Sequence, residues 1–99
     1  MTSKQRAYLK GLAMNIDPVF QIGKSSLTPE ITQAVDEALE ARELIKVTVL
    51  KNFLDDGGSI ADVLAERTHS QVVQVIGRKI VLYRPSKDEK KRKIVLPEK

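Results

Sequence analysis

The sequence predicts an α/β fold with the element order α-β-α-β-α-β-β, in which helices pack on a four-stranded mixed sheet. Three segments repeat apolar residues at three- and four-residue spacing, which is typical of amphipathic helices. Four short runs rich in β-branched residues predict strands. A chain of 99 residues accommodates one hydrophobic core rather than two. We therefore expect a single domain over 1–86 and a charged, mobile tail over 87–99.

Ser3 is predicted to cap the first helix, which is expected to end before Pro18. Residues 19–22 follow as a short strand. The stripe expected to face the core comprises Gln5, Tyr8, Leu9, Leu12, Ala13 and Ile16.

The second helix is the clearest in the sequence and is predicted over 29–42. Thr28 is a good N-cap, and Pro29 suits the first helical position. A strand over 44–50 and a third helix over about 59–67 follow. The residues of this third helix that are expected to point inward are Ile60, Val63 and Leu64.

The last two strands are predicted over 72–76 and 80–84. Gly77 occupies the first central position of the turn between them, which suits a type II′ hairpin and displays Arg78 and Lys79 at its tip. In the tail, the apolar residues 94–96 are compatible either with a short added strand or with docking.

The charge of the chain is segregated along the sequence. The net charge is +4, yet residues 28–66 are acidic, and the basic excess lies before and after them. Such segregation indicates one basic face, which favours a polyanionic partner over a merely charge-coated surface. The C-terminal tail is either a solvated end or a nonspecific phosphate-binding arm.

A phosphate-binding loop is predicted directly before the second helix. Gly23 permits a sharp turn and a close approach, Lys24 lies at the tip, and the helix N-terminus offers free N–H groups. Basic residues of the first helix and of the hairpin can join this loop on one surface. They are Lys4, Arg6, Lys10, Arg78, Lys79 and Arg84.

The sequence offers little for catalysis. It has no cysteine and a single histidine, His69, and it lacks both a Walker loop and a dinucleotide-binding glycine fingerprint. We therefore expect no enzyme activity, no metal, no cofactor and no small-molecule substrate. Tyr8 and Phe20 are expected in the core, which argues against base stacking on an aromatic platform.

Several separated motifs resemble those of the stand-alone bacterial CRM-domain proteins of the YhbY type. The similarity covers about residues 3–86 in the right order. The matching segments are SKQRAYL (3–9), FQIGK (20–24), ALEARELIKV (38–47), VQVIG (73–77) and VLYR (81–84).

The resemblance implies a fold similar to the C-terminal domain of bacterial translation initiation factor three. It also implies RNA binding and an association with maturing large ribosomal subunits, and related plant domains support organelle intron splicing. Family members usually carry a Gly-x-x-Gly loop, and here its second glycine is replaced by Ser26. The resemblance therefore adds the segment 23–26 to the basic residues, with Gly23, Lys24, Ser25 and Ser26 as candidate RNA contacts.

The main hypothesis is a monomeric, non-catalytic protein that binds rRNA of the precursor of the 50S subunit. No apolar run approaches the roughly 20 residues that span a bilayer, and the N-terminus leads into a helix pattern. We therefore expect a cytoplasmic protein without a membrane partner. The alternative hypothesis is a protein-interaction module that docks through its acidic second helix.

Overall fold

Three helices and four strands follow one another in the predicted order in a computed structural model, which describes residues 1–22, 28–50 and 57–97. The fold class predicted from the sequence is confirmed. The elements are α1 (Ser3–Ala13), β1 (Phe20–Ile22), α2 (Pro29–Arg42), β2 (Leu44–Val49), α3 (Gly57–Thr68), β3 (Gln71–Ile76), β4 (Lys79–Tyr83) and a short 3-10 turn, Glu89–Lys91.

The strands form one mixed sheet in the order β1-β2-β4-β3. β1 runs parallel to β2, with Phe20 opposite Val47, whereas the other two pairs of strands are antiparallel. The parallel pair requires a crossover, which α2 supplies, and the antiparallel pair β3–β4 needs only a two-residue turn. Gly77 makes that turn with a φ of +57°, a conformation that side chains other than glycine rarely adopt.

Capping residues begin the first two helices. The Thr2 hydroxyl accepts a hydrogen bond from the Gln5 N–H, and the Gln5 side chain accepts one from the Thr2 N–H. This reciprocal capping box places the cap of α1 one residue before the predicted Ser3. Thr28 caps α2 as predicted, and Pro29 is its first residue.

Helices cover both faces of the sheet. α2 and α3 pack on one face, with a core of Ile22, Val35, Leu39, Ile45, Val47, Val49, Ile60, Ala61, Leu64, Ile80 and Leu82. Among the described helices, α1 is the one that packs on the other face, with a smaller core of Leu9, Ala13, Leu44, Val73, Val81 and Tyr83. Because one helix cannot cover the whole face, part of the sheet beside the end of α1 stays open.

Two residues predicted to be buried lie at the surface. Tyr8 is 42% exposed and Val63 is 36% exposed. Successive helical residues are rotated by about 100°, so Tyr8 is turned away from Leu9, which points at the sheet. In α3, Ala61 is buried where the predicted stripe had placed Val63. The other apolar residues of the two predicted stripes are buried or pack against the cores.

The C-terminal segment contacts the domain. Ile94 and Leu96 pack against the core beneath α1, and the Pro97 carbonyl accepts a hydrogen bond of 3.0 Å from the Gln5 side chain. The segment 94–96 thus docks as irregular chain rather than as an added strand. The mobility of residues 87–99 stays a prediction. None of the described helices is long and apolar enough to cross a membrane.

Candidate nucleic-acid interface

The basic residues of α1 do not all share one environment. Arg6 and Lys10 lie four residues apart on the same side of the helix, whereas Lys4 is exposed on its outer surface. Arg6 Nη1 donates hydrogen bonds of 2.7 Å and 3.1 Å to the carbonyl oxygens of Val72 and Val73. Arg6 is therefore half-buried and fastens α1 to β3.

These two carbonyl groups belong to an irregularity in β3. The pairing with β4 shifts between Val72 and Gln74, so Val73 is an extra residue in the ladder. Such a bulge leaves backbone groups without a partner in the sheet. The Arg6 guanidinium supplies the missing donor, because a buried carbonyl without a hydrogen bond is costly.

The hairpin tip is held against the end of the central strand. The Arg78 carbonyl accepts a hydrogen bond of 2.7 Å from the Val49 N–H, and Arg78 Nη1 donates a weak one of 3.4 Å to the Leu50 carbonyl. Arg78 and Lys79 are both exposed, as predicted for a hairpin tip. Both cations therefore remain available to an external anion.

The predicted phosphate loop, Gly23, Lys24, Ser25 and Ser26, lies outside the described residues. The residue that precedes it is described, and its position is informative. The Ile22 carbonyl accepts a hydrogen bond of 2.8 Å from the Leu50 N–H, and Leu50 is the residue that Arg78 contacts. The strand that leads into the loop therefore ends at the same end of the sheet as the hairpin tip.

The end of α1 reaches this region as well. Lys10 and Lys79 line one groove on the α1 face of the sheet, together with Lys46 of β2. The sequence prediction missed Lys46. Its signal was the alternation in β2, where Lys46 and Thr48 are half-buried between fully buried apolar residues. Strand alternation places both on one face, but the sequence does not show that α1 leaves that part of the face uncovered.

Arg84 lies apart from this surface. The residue is 5% exposed, and its guanidinium donates to the Thr68 carbonyl at 2.8 Å and to the Asp36 carbonyl at 3.1 Å. It also forms ion pairs with the Asp36 carboxylate and, at 3.4 Å, with Glu40. Arg84 follows the end of β4 and points to the α2–α3 side, so it joins these helices to the sheet and is not displayed with the hairpin tip.

Two acids of the second helix, Asp36 and Glu40, are bound by residues of other elements. The Ser86 hydroxyl donates a hydrogen bond of 2.6 Å to Glu40, and the Lys87 N–H donates one of 3.0 Å. These hydrogen bonds, with Arg84 nearby, lower the pKa of Glu40 from 4.5 to about 2. With Asp36 also paired, Glu30 and Glu37 are the acids of α2 that remain exposed on its surface.

The described part of the chain lacks a ligand cluster for a metal ion. There, no group of three or more His, Asp or Glu side chains is placed to hold a metal ion. His69 is exposed and adopts a positive φ of 56° directly after α3. This is a position that ends a helix, where the backbone turns away from the helical path.

The chain is similar to known proteins of one family. A family model described as the CRS1/YhbY (CRM) domain matches residues 1–84. YqeI of Bacillus subtilis, named a probable RNA-binding protein, is 44% identical over 90 residues, which cover 91% of this chain and 94% of YqeI. An RNA-binding protein of Haemophilus influenzae is 37% identical over 99 residues, which cover 100% of this chain and 97% of the relative.

A solved structure is similar throughout its length. The solution structure of a Staphylococcus aureus protein, described as a candidate for RNA binding, superposes with a TM-score of 0.79 at 50% sequence identity. The match covers 98% of this chain and 99% of that one. The similarity therefore includes α1 as well as the sheet.

Proposed function

Because the chain belongs to the CRS1/YhbY (CRM) domain family, we propose that it is a non-catalytic RNA-binding protein that acts on rRNA during assembly of the large (50S) ribosomal subunit. In this proposal the protein is a cytoplasmic monomer. Relatives named as RNA-binding proteins support the general function. The ribosomal target rests on the family resemblance.

The observation that carries the proposal is the convergence of three elements at one end of the sheet. The hairpin tip, the end of the strand that leads into the predicted loop, and the end of α1 meet there. The hairpin tip and α1 bring cationic side chains, and Lys24 follows the end of the strand in the sequence. Several positive charges on one surface suit the phosphate groups of RNA. The RNA contacts that we assign to this surface are Lys10, Gly23, Lys24, Ser25, Ser26, Arg78 and Lys79. We add Lys4, which is exposed in the first turn of α1, as a more distant contact.

A charge-reversal pair tests the contact directly. Lys24→Glu is expected to weaken binding to structured rRNA fragments about tenfold and to reduce the dependence of affinity on salt by about one phosphate contact. Arg42→Glu is the matched control, because Arg42 is exposed at the end of α2, on the opposite face of the sheet. Equal affinities and equal salt slopes for the two variants would remove the loop from the interface.

Sedimentation of cell extracts tests the ribosomal target. We expect the protein to migrate with precursors of the large subunit and to be released by ribonuclease or by higher salt, because phosphate contacts are salt-dependent. Crosslinking in cells followed by sequencing of the attached RNA would identify the site. Co-migration with a purified protein partner in the absence of RNA would instead support docking through the acidic helix.

A further inference from the structure

The groove beside the end of α1 has a composition that suits one particular ligand. It lies on the α1 face of the sheet, where the helix leaves parts of β2, β3 and β4 uncovered, and has a volume of about 190 Å³. Ligand pockets that enclose a small molecule measure about 300–1,000 Å³. This groove is smaller, so its size fits one part of a longer chain better than a free small molecule. Its lining consists of Lys10, Ala13, Met14, Lys46, Gln74, Ile76, Lys79 and Val81.

The charges in the groove have one sign. Lys10, Lys46 and Lys79 contribute three ammonium groups, and the lining contains no acid. Lys79 pairs with Thr48 and Lys46 pairs with Val81, so the two lysines are diagonal neighbours across β2 and β4. Diagonal side chains lie roughly 7–8 Å apart. Within residues 1–22, 28–50 and 57–97, no ion pair neutralises these three groups, and an external anion would relieve their repulsion.

The groove also presents apolar surface. Met14 is 81% exposed and Ile76 is 59% exposed, and the two side chains border the lysines. Gln74 lines the same groove and is half-buried, and its amide can both donate and accept hydrogen bonds. A phosphate ion alone would leave Met14 and Ile76 in water. A nucleotide would use both features, with its phosphate on the lysines and its base on the apolar side chains.

We propose that this groove holds one unpaired nucleotide of a single-stranded RNA segment, with Lys46 as a phosphate contact and Ile76 and Met14 as the surface against which the base packs. This inference rests on the proposed RNA-binding function and adds the form of RNA that the site recognises. In an A-form duplex the bases are stacked inside, so duplex RNA cannot present a base to the groove.

Two variants separate the phosphate contact from the base contact. Lys46→Gln is expected to weaken binding of oligouridine about three- to tenfold and to reduce the salt slope by about 0.7, the value for one phosphate of a single strand. Ile76→Ser is expected to weaken oligouridine binding about threefold with an unchanged salt slope, because no charge is lost. Binding of an RNA duplex should change less than about twofold in Ile76→Ser.

Matched controls use residues outside the groove. Arg42→Gln removes a positive charge on the opposite face of the sheet, and Val95→Ser removes an apolar side chain of the tail that is 81% exposed. Both are expected to bind oligouridine like the unmodified protein. Thermal unfolding of all four variants verifies that they fold, and Ile76→Ser keeps the test decisive if the half-buried Lys46 does not tolerate substitution.

The outcomes distinguish this inference from the function on which it rests. If the unmodified protein binds rRNA fragments but both groove variants bind oligouridine normally, the nucleotide site is wrong and the RNA-binding function stands. If the unmodified protein binds neither probe and does not migrate with ribosomal precursors, both fail. If an oligoglutamate peptide competes for the protein at the same concentration as oligouridine, the nucleotide proposal is wrong. The groove would then bind an acidic protein segment.

Discussion

Glu43 Oε1 accepts a hydrogen bond of 3.0 Å from the backbone N–H of Ile94, a residue of the C-terminal segment. The same oxygen accepts a bond of 2.6 Å from the Lys93 N–H, and the other carboxylate oxygen accepts one of 2.8 Å from the Ser86 N–H. Glu43 follows the last residue of α2 and is itself buried. One carboxylate therefore joins the end of a helix to the segment that covers the edge of the α1 core.

Replacing Glu43 should release this segment. Glu43→Gln places an amide nitrogen against at least one backbone donor, which leaves buried polar groups without a partner, so we expect the free energy of unfolding to fall by about 1–3 kcal/mol. Urea denaturation measures the change, and faster amide hydrogen exchange at Lys93 and Ile94 would locate it. Glu66→Gln, at an exposed position of α3, is the control; an equal effect in both variants would contradict the assigned role.

Stability should decline in acid between pH 4.5 and about 2. The Ser86 hydroxyl is the main cause of the lowered pKa of Glu40, which falls from 4.5 to about 2. Burial would raise the pKa of Glu43, but the N–H groups of Ile94, Lys93 and Ser86 outweigh it, and the pKa is lowered. Because both values are depressed in the folded state, the stability they contribute is present above the unfolded pKa and is lost as the pH falls through the folded one.

The urea midpoint measured as a function of pH tests this linkage. In Ser86→Ala the main hydrogen bond to Glu40 is absent, so the pKa of Glu40 should rise and the acid-induced decline in stability should be shallower. Glu37→Gln, an exposed change on the same helix, is expected to leave the profile nearly as it is. A profile in Ser86→Ala as steep as that of the unmodified protein would show that Glu40 is not the responsible group.

Arg84→Lys should lower stability without changing the salt dependence of RNA binding. Asp36 is 40% exposed, so water screens its ion pair with Arg84, and most of the loss comes from the hydrogen bond to the Thr68 carbonyl. A loss of about 1–3 kcal/mol is expected, because lysine cannot reproduce the planar fork of donors. Denaturation in urea and RNA titration of the folded variant supply the two readouts. A reduced salt slope would indicate that Arg84 contacts phosphate after all.

Substitution of Arg6 should lower the stability of the protein, whereas substitution of Lys4 on the same helix should change it little. Arg6→Ala removes both hydrogen bonds to the β3 bulge, and we expect a loss of about 1–3 kcal/mol with faster hydrogen exchange in β3. Lys4→Ala changes an exposed position and is expected to alter stability by less than about 0.5 kcal/mol. Equal stabilities would show that the bulge carbonyls do not depend on Arg6.

Local signals in the sequence determined the elements of this protein. Thr28 and Pro29 mark the start of α2 because they satisfy the geometry of a helix N-terminus, and Gly77 marks the hairpin because its turn requires a positive φ. Such features depend on neighbouring residues alone, so the element order and the fold class followed from the sequence. The exposed position of Arg78 followed from the same turn.

Only the tertiary structure decided what each charged side chain does. Three basic residues illustrate this. Arg84 is buried against α2 and α3, Arg6 is hydrogen-bonded to the β3 bulge, and Lys46 lies in an open groove. These differences arise from contacts between residues far apart in the chain, and from the area of sheet that a single helix leaves uncovered. Charge and periodicity predicted a basic face, and packing determined which cations remain free to form it.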